Sequence, residues 1–153
     1  MKGEEKRVGQ FDSRMIQRLL HTWWTTNGRD FEWRRTREPY HLLIAEIMLH
    51  RTMAEQVRPI YKSFIARYPT LPALAMADLN DVRKFFAPLG LKWRTKMFVR
   101  LIHTLHSRFG DTVPTDAKIL KELPGISDYI AAAVPCFSTD TAQVLVDTRM
   151  EAG

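Results

Sequence analysis

The sequence predicts an all-α fold, and three observations carry that prediction. Apolar residues recur at helical spacing in one stretch after another. The stretches open at capping residues or prolines and close at glycines, as helices do. No two alternating runs are joined by a hairpin turn, and Val144-Leu145-Val146 is β-prone but too short and isolated to found a sheet. The 153 residues are 45% hydrophobic and 26% charged, which suits a buried core and excludes disorder as the main state. No apolar run reaches the roughly 18 residues of a membrane span. Residues Met1 to Arg7 lack the apolar stretch of a secretory signal. A lone cysteine, Cys136, excludes an internal disulfide and a multi-cysteine metal site within the chain. The expectation is an intracellular, reduced domain over 12–153 behind a disordered tail, 1–11.

Each element has its own warrant. Asp12 or Ser13 caps a first helix, which carries Met15, Ile16, Leu19, Leu20, Trp23 and Trp24 and ends at Asn27-Gly28. Residues 29–38 are polar and read as extended. Pro39 suits the first turn of a second helix, and Tyr40 to Arg51 is so apolar that this helix must be central. A third helix spans about 54–68, with Val57, Ile60, Tyr61, Phe64 and Ile65 on one face. Short helices follow at about 72–76 and 79–86, then a loop at Pro88-Leu89-Gly90-Leu91. A long helix runs from about Trp93 to Phe109 and stops at Gly110. Thr115 or Asp116 caps a short helix to Glu122, and a last helix carries Tyr129, Ala131, Ala132, Ala133 and Val134.

Charge gives the first functional pointer. Lys and Arg total 23 against 17 Asp and Glu, a net +6. A basic domain suits a polyanion such as nucleic acid, although the same charge also serves solubility. The cations cluster: Arg29, Arg34, Arg35 and Arg37 surround Trp33, and Lys92, Arg94, Lys96 and Arg100 surround Trp93. Basic residues interleaved with aromatics suit phosphate contact beside base stacking, and equally suit amphipathic helices.

The segment from Ile119 to Val134 has a sharper reading. A helix ends, Pro124-Gly125 turns tightly, and a second helix begins at once. Glycine permits the close backbone approach. The free N–H groups of the second helix form an anion site that suits a backbone phosphate. A plain helical corner in an all-α core would use the same residues.

Leu123-Pro124-Gly125 with Tyr129, followed by Val146-Asp147-Thr148, resembles the helix-hairpin-helix DNA glycosylases. Three further segments agree in the family's order. Phe31-Glu32-Trp33-Arg34 with Pro39-Tyr40 and Glu46-Ile47-Met48-Leu49-His50-Arg51-Thr52 resemble its mismatch branches, and Leu89-Gly90-Leu91 resembles its duplex-probing loop. The resemblance covers about residues 14–149. It implies the family's multi-helix orthogonal bundle and a repair enzyme. Such an enzyme binds double-stranded DNA with a mismatched or deaminated base, flips that base out and hydrolyses its N-glycosidic bond. Asp147 matches the catalytic aspartate, which would stabilise charge developing on the sugar and orient water. Tyr129 stands where endonuclease III has its Schiff-base lysine, so an imine route is not expected and a monofunctional thymine or uracil glycosylase is. Glu46 would face the base pocket and hydrogen-bond or protonate the leaving base; burying a carboxylate is costly unless it is paired. His50 and Arg51 would fill the space of the flipped base or touch its orphaned partner. Leu91 would wedge between bases. Pro124, Gly125, Ile126 and Ser127 would form the DNA-binding hairpin.

The sequence also departs from the family's pattern. Ser127 stands at the hairpin's second glycine and Asp128 at its basic residue, where a carboxylate opposes phosphate binding unless it serves as a cap. The family often continues into a region whose four cysteines hold a [4Fe–4S] cluster; with Cys136 alone, no cluster and no other metal is expected in this chain. The fold expected is therefore the glycosylase bundle truncated at the C-terminus, without the iron–sulfur region. The wide apolar face of the first helix predicts a homodimer or a second chain docked there. A prokaryotic, cytoplasmic protein associated with the nucleoid is expected, with no membrane partner. Two alternatives stand beside thymine or uracil excision: removal of mispaired adenine, and a non-catalytic DNA-binding remnant.

Overall fold

The computed structural model describes residues 12–90, 94–140, 142 and 145. The chain divides into two compact units, Met1–Asp30 and Phe31–Gly153. The first contains α1, Ser13–Asn27. Asp12 caps it, its carboxylate accepting the Arg14 N–H at 3.0 Å. The helix closes where the Gly28 N–H donates to the Trp24 carbonyl at 2.7 Å. A side chain at Gly28 would meet that carbonyl, which is why glycine follows the last turn. None of the apolar residues of α1 is buried.

In the second unit, α2 (Pro39–Leu49) is the central helix. Glu38 accepts the His41 N–H at 2.8 Å, and Pro39 supplies the preset first turn. Leu43, Ile44, Ala45 and Met48 have no exposed surface, as the nearly all-apolar pattern predicts. Helix α2 packs chiefly on α8 (Asp128–Thr139) and α3 (Ala54–Arg67). Two further helices, α4 (Leu71–Ala75) and α5 (Leu79–Phe86), lean on α6 (Thr95–Phe109), while α7 (Ala117–Lys121) lies against α8. Phe64 of α3 centres an aromatic cluster, its ring 5.2 to 6.3 Å from those of Tyr68, Phe85, Phe86 and Phe98. Such edge-on pairs add to the burial of area. The Tyr40 hydroxyl donates to the Tyr68 carbonyl at 2.8 Å and ties α2 to the end of α3. Helix, 3₁₀ turn and loop make up the described residues, with no strand among them. None of the helices among these residues is long and apolar enough to cross a membrane.

Two expectations need correction. Residues 29–38 are not simply extended: Glu32–Arg34 forms a 3₁₀ turn. Phe31 and Trp33 are 4% and 5% exposed, their rings stacked 4.6 Å apart. Alternation turns these two rings inward and Arg34, Arg35 and Arg37 outward, so Trp33 belongs to the core and offers no surface to a base. Secondly, Asp128 does not cap α8. Ser127 does, its hydroxyl accepting the Ile130 N–H at 3.2 Å.

Candidate active site

The residues singled out in the sequence fall on three neighbouring parts of the second unit. Glu46 sits on α2 and is 8% exposed, one of only two buried polar side chains among the described residues. It projects from the helix that packs most extensively on α8. Tyr129 occupies the first turn of α8, half-buried against the core. The chain thus brings the buried carboxylate and the tyrosine onto two helices in contact. Asp147 and Leu91 lie outside the described residues.

The hairpin joins α7 to α8. Leu123 is buried and anchors it, and the Ile126 N–H donates to the Leu123 carbonyl at 3.3 Å. Gly125 has φ +80°, a left-handed conformation that side chains disfavour. A Cβ there would come within 2.6 Å of the Met97 Cγ, so α6 lies directly against the turn. Ser127 takes an ordinary extended backbone, and the loss of the family's second glycine costs nothing locally. Asp128 is paired: the Lys121 ammonium lies 3.0 Å from its carboxylate.

His50 and Arg51 form the turn between α2 and α3. Arg51 has φ +62°, a left-handed conformation uncommon for a residue with a side chain. His50 Nδ1 lies 2.6 Å from an Arg94 Nη2. Guanidinium is donor-only, so Nδ1 accepts and the His50 ring proton in this arrangement resides on Nε2. Burial first, and then the charge of Arg51, lower the Arg94 guanidinium below its ordinary value. The structure therefore gathers Arg51, His50 and Arg94 at one corner. Sequence reasoning placed Arg94 only in a basic cluster around Trp93, because nothing local links it to His50. Among the described residues no group of three metal-binding side chains occurs. Cys136 is the chain's one thiol, so these residues do not fit a four-thiolate cluster.

No family model matches the chain. It is 36% identical over 137 residues to the thymine-DNA glycosylase of Aeropyrum pernix, covering 88% of this chain and 61% of that protein. It is 35% identical over 129 residues to the thymine/uracil-DNA glycosylase of Methanothermobacter thermautotrophicus, covering 84% and 58%. An adenine DNA glycosylase from Mycolicibacterium smegmatis is 35% identical over 132 residues, covering 86% and 45%. The solved structure of a thermostable thymine-DNA glycosylase superposes with a TM-score of 0.81 at 32% identity, over 88% of this chain and 62% of that one. The chain therefore spans about three fifths of the length of the thymine-glycosylase relatives it matches.

Proposed function

The chain belongs to the helix-hairpin-helix DNA glycosylase superfamily, and on that premise we propose that it excises thymine or uracil opposite guanine from duplex DNA by hydrolysis alone. The observation that carries this reading is a buried Glu46 on α2 and Tyr129 on the first turn of α8, two helices in contact directly behind the hairpin. A phenol cannot form an imine with the sugar, which leaves water as the nucleophile. In this proposal Asp147 stabilises the cationic sugar and orients that water. Glu46 hydrogen-bonds or protonates the departing base. The His50–Arg51 corner and Leu91 occupy the duplex position from which the base has been flipped. The hairpin Pro124–Ser127 approaches the backbone. The mispaired-adenine reading keeps a footing in the adenine glycosylase relative. We place the protein with the DNA of a prokaryotic cytoplasm.

The first helix enters the proposal separately. Met15/Ile16, Leu19/Leu20 and Trp23/Trp24 repeat every four residues as a two-wide ridge. A ridge along the i, i+4 row is complementary to its own copy, so the proposed partner of α1 is a second copy of this chain.

Duplexes bearing G·T, G·U or A·8-oxoguanine, treated with the protein and then hot alkali, test the chemistry. Strand breaks are expected at the first two. Cleavage confined to the third moves the protein to the adenine branch, and none at any supports the non-catalytic alternative. Asp147→Asn should bind DNA normally and lose turnover by about 10²-fold or more. Borohydride should trap no adduct; efficient trapping would reveal an amine nucleophile and end the hydrolytic reading.

A further inference from the structure

We propose that the DNA phosphates beside the hairpin are bound by Lys96 and Arg100 of α6, and not by the hairpin's own lysine. The inference rests on the glycosylase reading only in taking duplex DNA as the ligand. The hairpin is electrostatically unsuited to hold a phosphate alone. From Lys121 to Asp128 it carries one lysine against two carboxylates, Glu122 and Asp128. That lysine is engaged, 3.0 Å from the Asp128 carboxylate. At the start of α8 the Ser127 hydroxyl takes up the Ile130 N–H at 3.2 Å, so one of the donors that would greet an anion is already used.

Helix α6 supplies what the hairpin lacks. A Cβ on Gly125 would lie 2.6 Å from the Met97 Cγ, so the turn rests on the third residue of α6. Met97 is itself 42% exposed, which puts this contact at the surface and not in the core. Lys96 precedes Met97 and Arg100 follows one turn later; both are exposed. Neither pairs with a carboxylate among the described residues. They stand four positions apart on one face, separated by about 6 Å along the axis. Like charges at that spacing repel and weaken a helix, and a bound anion relieves the repulsion. Two cations on one face with no carboxylate partner among the described residues, next to a glycine turn that lets a backbone come close, suit the phosphates of a nucleic-acid strand.

Salt dependence of duplex binding by the full chain separates the two sources of charge. Each neutralised phosphate contributes about −0.9 to the slope of log K against log salt. Lys96→Ala and Arg100→Ala should each flatten the slope by about one such step, and Arg100→Lys should keep it. Lys121→Ala should leave the slope unchanged, because Asp128 already offsets that charge. Asp128→Asn, which frees Lys121, should steepen it. Unchanged slopes for Lys96→Ala and Arg100→Ala, with a flattened slope for Lys121→Ala, would overturn the assignment. All four positions are exposed, so unaltered melting serves as the folding control. Salt-dependent binding without base excision would sink the glycosylase reading alone. Failure to bind any duplex would sink both.

Discussion

Gly125 meets two separate constraints, a left-handed backbone at φ +80° and the Met97 side chain against its α-carbon. The backbone term alone costs a side chain about 1–2 kcal/mol. Gly125→Ala should therefore lower the unfolding free energy by more than that, read from urea midpoints. In a chain already carrying Met97→Ala the penalty should fall back toward the backbone term. Equal penalties in the two backgrounds would show that Met97 does not press on the turn. The glycine itself was legible, since Pro-Gly between two helical patterns demands a tight turn. Met97 was not, because no local signal names the atom that a distant loop will touch. The same holds for His50: its position after an apolar helix was visible, whereas its bond to Arg94 exists only once α6 is packed.

Among the elements, α2 was the most legible. Eight of its eleven residues are buried, Glu46 among them, and a nearly all-apolar run has no other stable location. Two caps were readable too: of the residues offered, Asp12 and Asp116 each accept an N–H at the head of the following helix, whereas the Asp78 cap of α5 came only with the structure. The 3₁₀ turn Glu32–Arg34 escaped, because two inward rings among four arginines look polar in a composition window. For α1 the periodicity exposes a ridge ending in Trp23 and Trp24, 60% and 46% exposed. Apolar area left in water forgoes about 25 cal/mol per Å². Sedimentation should accordingly show a dimer that grows with concentration, and Trp23→Gln with Trp24→Gln should abolish it. A monomer at every concentration would refute pairing through α1.

At the scale of the whole molecule, the buried tyrosines set an alkaline limit. Burial, and after it the charges of Glu38 and Glu32, push the Tyr61 hydroxyl from 10.0 up to about 12. Tyr40 is raised as well, again chiefly by burial. A raised value means that the folded state holds its proton more tightly than the unfolded chain. That stability is fully present below pH 10, the unfolded value, and is lost as the pH climbs toward about 12. Urea midpoints should fall across this window. Tyr61→Phe should remove up to one proton's share of the decline, about 1.4 kcal/mol per pH unit. An identical decline in that variant would show that Tyr61 does not contribute. Taken alone, the sequence determined the helical class, the order and approximate ends of the helices, the hairpin and the glycosylase resemblance. Class, helix order and hairpin follow from periodicity, caps and turn residues, which act within a few positions of themselves, whereas the resemblance rests on motifs that stand in the family's order. Only the tertiary structure decided that Trp33 is core, that Asp128 neutralises Lys121 and that α6 underlies the hairpin. Those outcomes depend on which face of one helix meets which face of another, and a local pattern records the existence of a face but not its partner.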